Sequence, residues 1–123
     1  MMRCERLGPD YQVRFSNGTL EAICDATPDK GGQGLGFRPH ELLEASVGSC
    51  TAMMLAMAAK ARDIPLTGLV VNVELDRSDP DLAAFTCTIE LTGDLDAKQK
   101  SRLLRAARAC PVRQTLSRRI EFR

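Results

Sequence analysis

Residues 42–59 are apolar or small at every position except Glu44, the only charge among them. A helix of that composition has no polar face to give to water, so the fold must cover it with apolar surface on most sides. The uncharged stretch 45–59 is shorter than the ~20 apolar residues that span a bilayer, which predicts a buried helix and no membrane partner. Pro39 has the fixed φ suited to a first helical position, and Glu41 and Glu44 lie in the opening turns, where the helix dipole favours anions. The helix is therefore predicted from 39 to about 62, with Arg38 at its N-cap.

Short elements surround it. Residues 11–15 alternate Tyr, Val and Phe with polar side chains, Asn17-Gly18 supplies a turn, and residues 19–23 return, which predicts a β-hairpin. Residues 25–36 hold Pro28 and Gly31, Gly32, Gly34 and Gly36 and are predicted to be a flexible loop; no Gly-Lys-Ser/Thr closes it into a phosphate-binding loop. After Ile64-Pro65, residues 69–75 and 85–91 alternate and are β-branched about a turn at 78–81, predicting a second antiparallel pair. Asp96 can cap a helix over 97–109 with Leu103, Leu104 and Ala107 inward and Lys98, Lys100, Arg102, Arg105 and Arg108 outward. Cys110-Pro111 breaks it, a short helix to Leu116 follows, and residues 119–123 alternate as a last strand.

The order ββ, α, ββ, α, β is that of an α+β fold with antiparallel sheets, not a doubly wound parallel one. Its first helix remains undercovered, because one face of about five strands cannot enclose a helix that is apolar all round. A homodimer that buries the helix resolves this.

A chain of 123 residues is expected to form one domain, 1–123. Its 17 basic and 16 acidic residues, with no Trp and one Tyr, offer neither the charge nor the stacking platforms that nucleic acid requires. Residues 1–8 carry Arg3, Glu5 and Arg6 without an apolar core, so no signal peptide is expected and the cytoplasm is the predicted location. Five cysteines, at 4, 24, 50, 87 and 110, are odd in number and scattered, which predicts reduced thiols rather than a disulfide framework. With one His and no closely spaced Cys or His pair, neither a metal site nor another cofactor is expected.

Chemistry is thus expected from thiols. Pro111 disfavours αR at Cys110 and starts a helix after it, making Cys110 an N-cap whose thiolate is favoured by helix amides and by Arg113. Cys50 lies mid-helix, where a thiol is commonly an inert core residue. Even so, Gly48-Ser49-Cys50-Thr51 brings small polar groups into the helix, and Gly48 costs ~1 kcal/mol relative to Ala, which predicts a close approach there. Cys4, Cys24 and Cys87 receive no role. His40, Arg38 and Glu41 are ordinary helix-start residues, unless tertiary structure places the Arg beside a thiol.

Arg38-Pro39-His40-Glu41-Leu42-Leu43, Gly48-Ser49-Cys50-Thr51-Ala52-Met53, Cys110-Pro111-Val112 and Gln114-Thr115-Leu116-Ser117 together resemble the family of osmotically inducible protein OsmC and the organic hydroperoxide resistance proteins. The resemblance implies an intertwined homodimer, with antiparallel sheets wrapped around two long central helices. It also implies that Cys50 is a peroxidatic thiol, oxidised by an organic hydroperoxide to a sulfenic acid. Cys110 would then resolve it as a disulfide that an external dithiol reduces. Arg38, Glu41 and His40 become supporting residues. In the hydroperoxidase branch a Glu commonly follows the proline directly; here His40 holds that place and Glu41 comes next, leaving Arg3, Arg6, Arg14 or Arg38 as the activating cation. The same scaffold would also suit a small-molecule-binding protein or a redox sensor.

Overall fold

Cross-strand pairing, more than local propensity, organises the start of the chain. The structure, a computed structural model, describes residues 1–8 and 10–123. It divides into two compact units, Met1–Leu43 and Glu44–Arg123.

The first unit holds three antiparallel strands in the order β1 (Arg3–Arg6), β2 (Val13–Ser16), β3 (Glu21–Cys24). The predicted hairpin is present, each strand beginning two residues later than its pattern suggested. Its turn is held by Asn17, whose Oδ1 accepts from the Thr19 and Leu20 amides at 2.9 and 2.8 Å, with Gly18 at φ 98°. Strand β1 was not foreseen. Its Arg-Cys-Glu-Arg has little β propensity, but Glu5 lies opposite Arg14, and their side chains pair at 2.8 Å.

The segment expected to be a flexible loop is folded around one buried carboxylate. Asp25, 3% exposed, accepts from the amides of Ala26, Gln33 and Leu35 at 2.8, 3.3 and 3.1 Å. Phe37 lies alongside β3, exchanging backbone hydrogen bonds with Ile23 and Asp25. Two glycines allow this closure: a Cβ on Gly32 would overlap the Ala26 carbonyl, and one on Gly36 would meet that of Ile23.

Helix α1 runs Pro39–Ala61, starting at Pro39 as predicted. By length and composition it is the one helix among the described residues apolar enough to cross a membrane, at 23 residues and mean hydropathy 1.5. Within one chain it is covered on one side, as expected of a helix that a single sheet cannot enclose: Val47, Gly48, Thr51, Leu55, Ala58 and Ala59 are buried, at helical spacing, while Met53 and Met57 are 59% and 62% exposed.

Within the second unit the buried face of α1 meets the hairpin of β4 (Leu66–Asp79) and β5 (Leu82–Gly93). Both strands extend past their predicted ends, because the ladder continues through polar residues such as Asp76, opposite Ala84. Leu69, Val71, Ile89 and Leu91 pack on a core of Leu55, Ala58, Ala59, Ile64, Leu103 and Ala107. The predicted close approach at Gly48 is to β4, where a Cβ would lie 3.2 Å from Val73 Cγ2. Glu44, the lone charge of the apolar run, accepts from the Leu75 amide at 2.8 Å.

Helix α2 (Ala97–Ala107) opens on a capping box in which Asp96 and Gln99 each accept from the other's amide, so the predicted cap is present. It ends two residues earlier than expected, and Leu104 is exposed rather than inward. Helix α3 (Pro111–Leu116) follows. The strand expected over 119–123 does not form. Alternation supplied a face but no partner edge, and Ile120 and Phe122 are exposed while Glu121 pairs with Arg119 and Arg123.

Two outcomes follow from these contacts. Gly48→Val, which overpacks the helix against Val73, is expected to lower stability by about 1–3 kcal/mol, read as a reduced denaturation midpoint at unchanged m-value. The Leu35 amide, followed by those of Ala26 and Gln33 and the Gln12 side chain, holds the Asp25 pKa below its ordinary value despite burial. Stability from this carboxylate is thus fully present above the unfolded value of ~3.9 and is lost as pH falls through the lower folded value. Asp25→Asn should therefore be less stable than wild type at neutral pH, with the difference shrinking below about pH 4 in acid titrations followed by circular dichroism.

Candidate active site

Sixty residues separate Cys50 from Cys110, and the second unit brings them together. Cys50 is carried by α1 five residues before the core residue Leu55 and two residues after Gly48, where α1 approaches β4. Cys110 is delivered by the break between α2 and α3. Pro111 cannot donate an amide, and Cys110 takes extended-like backbone angles (φ −55°, ψ 117°) as the N-cap of α3, as expected from Cys-Pro. Both cysteines are free thiols, and their side chains are hydrogen-bonded to each other.

The environments of the two sulfurs differ. Cys110 is fully buried, at 0% exposure, whereas Cys50 is half-buried. Burial pushes the Cys110 thiol up. That effect is outweighed by hydrogen bonds from the Cys50 thiol, the Arg113 amide at 3.4 Å, the Thr51 hydroxyl and the Val112 amide, leaving its pKa below the ordinary thiol value. Cys50 moves the opposite way. Its hydrogen bond to Cys110, with burial and the charge of Cys110, raises its pKa against the opposing pull of the Val112 amide. The two shifts are opposite, so Cys110 is the more readily ionised sulfur of the pair.

The direction of the Cys110 shift agrees with the local reading, and Arg113 contributes to it through its backbone amide. Thr51 was missed as a site residue. It is buried and donates to Cys110, although in the sequence it reads only as a polar residue beside Cys50.

The predicted supporting residues lie in the first unit. Arg38 and Glu41 pair with each other: the carboxylate accepts from Arg38 Nε at 2.8 Å and from its backbone amide at 2.9 Å, and the second of these bonds, followed by the first, lowers the Glu41 pKa. His40 is exposed between them. Among the other arginines considered, Arg3 and Arg14 share Glu5 at 3.6 and 2.8 Å, and Arg6 donates to the Asp10 carbonyl. Among the described residues no group of three or more His, Cys, Asp or Glu side chains is placed to hold a metal ion.

Residues 31–123 match the family model of OsmC-like protein. An OsmC-like protein of Mycoplasma pneumoniae has a similar structure, with a TM-score of 0.78 at 20% identity, over 94% of this chain and 85% of that one. The organic hydroperoxide resistance protein OhrB of Bacillus subtilis gives 0.65 at 22% identity over 95% and 89%. An organic hydroperoxide resistance protein OsmC from Legionella pneumophila gives 0.67 at 17% identity over 95% and 88%. At these identities the likeness is one of fold. No curated protein matches the chain.

Loss of one of the four donors to Cys110 has a measurable consequence. In Thr51→Val the Cys110 titration, followed by pH-dependent alkylation and mass analysis, should move up toward the ordinary thiol value of ~8.5. An unmoved titration would show that the hydroxyl does not support the thiolate.

Proposed function

Because the chain belongs to the OsmC-like family, we propose that it is a homodimeric, cofactor-free thiol peroxidase of the cytoplasm that reduces organic hydroperoxides. Cys50 is the attacking thiol and Cys110 the resolving one. The observation that carries this reading is the hydrogen bond between a half-buried thiol and a fully buried one that is the more readily ionised of the two. Two structural relatives named as organic hydroperoxide resistance proteins point to the substrate class.

When the pair ionises, the charge falls on the sulfur that a peroxide cannot reach, so Cys110 serves first as the base. As Cys50 Sγ attacks the terminal oxygen of the hydroperoxide, its proton passes to the Cys110 thiolate. The O–O bond breaks, Cys50 becomes a sulfenic acid, and the leaving alkoxide takes the proton back from Cys110 as the alcohol departs. The restored Cys110 thiolate attacks the sulfenic sulfur, forming the disulfide and releasing hydroxide, which solvent protonates to water. An external dithiol then reduces the disulfide by exchange, becoming a disulfide itself. Arg38, Glu41 and His40, around the start of α1, are assigned the supporting role that the family resemblance implies. The exposed Met53 and Met57 face of α1 is the surface that dimerisation covers.

Cumene hydroperoxide consumption with a dithiol reductant tests the scheme. Wild type should turn over, Cys50→Ser should be inactive, and Cys110→Ser should lose catalytic turnover. The rate should rise with pH through the lowered Cys110 pKa and fall again through the raised Cys50 pKa, since only the singly ionised pair reacts. Absence of peroxide consumption by the reduced wild type would overturn the proposal; a disulfide that forms slowly without turnover would favour redox sensing on the same scaffold.

A further inference from the structure

Away from the thiols, the second unit carries a one-sided cationic surface. Helix α2 contains Lys98, Lys100, Arg102 and Arg105 and no acidic residue. Arg102 and Arg105 are three apart and share one face. Together with Arg62, just beyond the end of α1, and Ala106 they line a groove of about 620 Å³. Ligand sites for small molecules run roughly 300–1,000 Å³, so the space suits a metabolite-sized molecule.

None of the three guanidiniums is paired with a carboxylate among the described residues. The Arg62 guanidinium donates to the Ala58 carbonyl, at 3.5 Å. Some arginines elsewhere are paired, as Arg14 is with Glu5 and Arg38 with Glu41. Three unneutralised cations around one concavity repel each other, and a bound anion relieves that repulsion. A single carboxylate would leave two charges uncompensated, whereas a phosphate group brings up to two negative charges and oxygens that fit guanidinium forks. Ala106 and the arginine stems add apolar wall for an organic body.

We propose that the Arg62–Arg102–Arg105 groove binds the phosphate of a small phosphorylated molecule. Neither cysteine lines it, so the site is separate from the thiol pair and does not depend on the peroxidase reading.

Calorimetric titration of the full chain tests this at constant ionic strength, with inorganic phosphate, pyrophosphate and glucose 6-phosphate as probes and sulfate and chloride as comparisons. Wild type should bind at least one phosphate probe saturably and more tightly than sulfate. The double variant Arg102→Ala/Arg105→Ala should lose about tenfold or more, whereas Lys98→Ala/Arg108→Ala, which removes equal charge outside the groove, should change affinity by no more than about twofold. Equal melting temperatures in chloride would confirm that both variants fold. Tightest binding of glucose 6-phosphate identifies a phosphoester ligand, and tightest binding of inorganic phosphate or pyrophosphate a free anion. Equal loss in both double variants would reduce the groove to a diffuse field and overturn the proposal, as would no saturable binding or indifference between phosphate and sulfate.

Discussion

The approach of α1 to β4 at Gly48 sets the position of the thiol chemistry. With no side chain at that point, the helix lies close to Val73, and the residues that follow inherit their surroundings from this contact. Thr51 and Leu55 enter the interior, Cys50 stays at its margin, and Met53 and Met57 turn away. Glu44 fixes the same register from the other side by accepting the Leu75 amide, which gives the single charge of an otherwise apolar run a defined partner. The core beneath then seats α2 through Leu103 and Ala107, and the end of α2 delivers Cys110.

The two thiols differ because one is a helix cap and the other is not. A mid-helix sulfur has no free amides directed at it from its own helix, while an N-cap sulfur meets those of the next turn. Geometry therefore separates the accessible sulfur from the more readily ionised one. A reaction that needs both properties must move a proton between them, and the hydrogen bond that joins the pair provides the path.

Features written in consecutive residues were legible in the sequence. Pro39 and the run after it located α1, Asp96 and Gln99 located the start of α2, and Cys110-Pro111 announced its own cap. Features that depend on distant partners were not. Strand β1 exists because Glu5 meets Arg14, and the segment after β3 is ordered because one carboxylate gathers three amides, neither of which any local pattern reveals. Residues 119–123 are the converse case, a convincing alternation with no edge to join. The convergence of Cys50 and Cys110 came from family resemblance rather than from spacing, and Thr51 went unnoticed because its role requires a sulfur sixty residues away to be in place.

The sulfur of Cys110 also has a duty in the backbone. It accepts the Arg113 amide at the start of a helix only six residues long, too short to sustain itself without anchorage. A sulfur in a disulfide carries no charge and is a poorer acceptor than a thiolate. In the proposed reaction, forming the bond to Cys50 would therefore weaken the cap of α3, so the redox state of the pair would be translated into the firmness of a neighbouring helical turn.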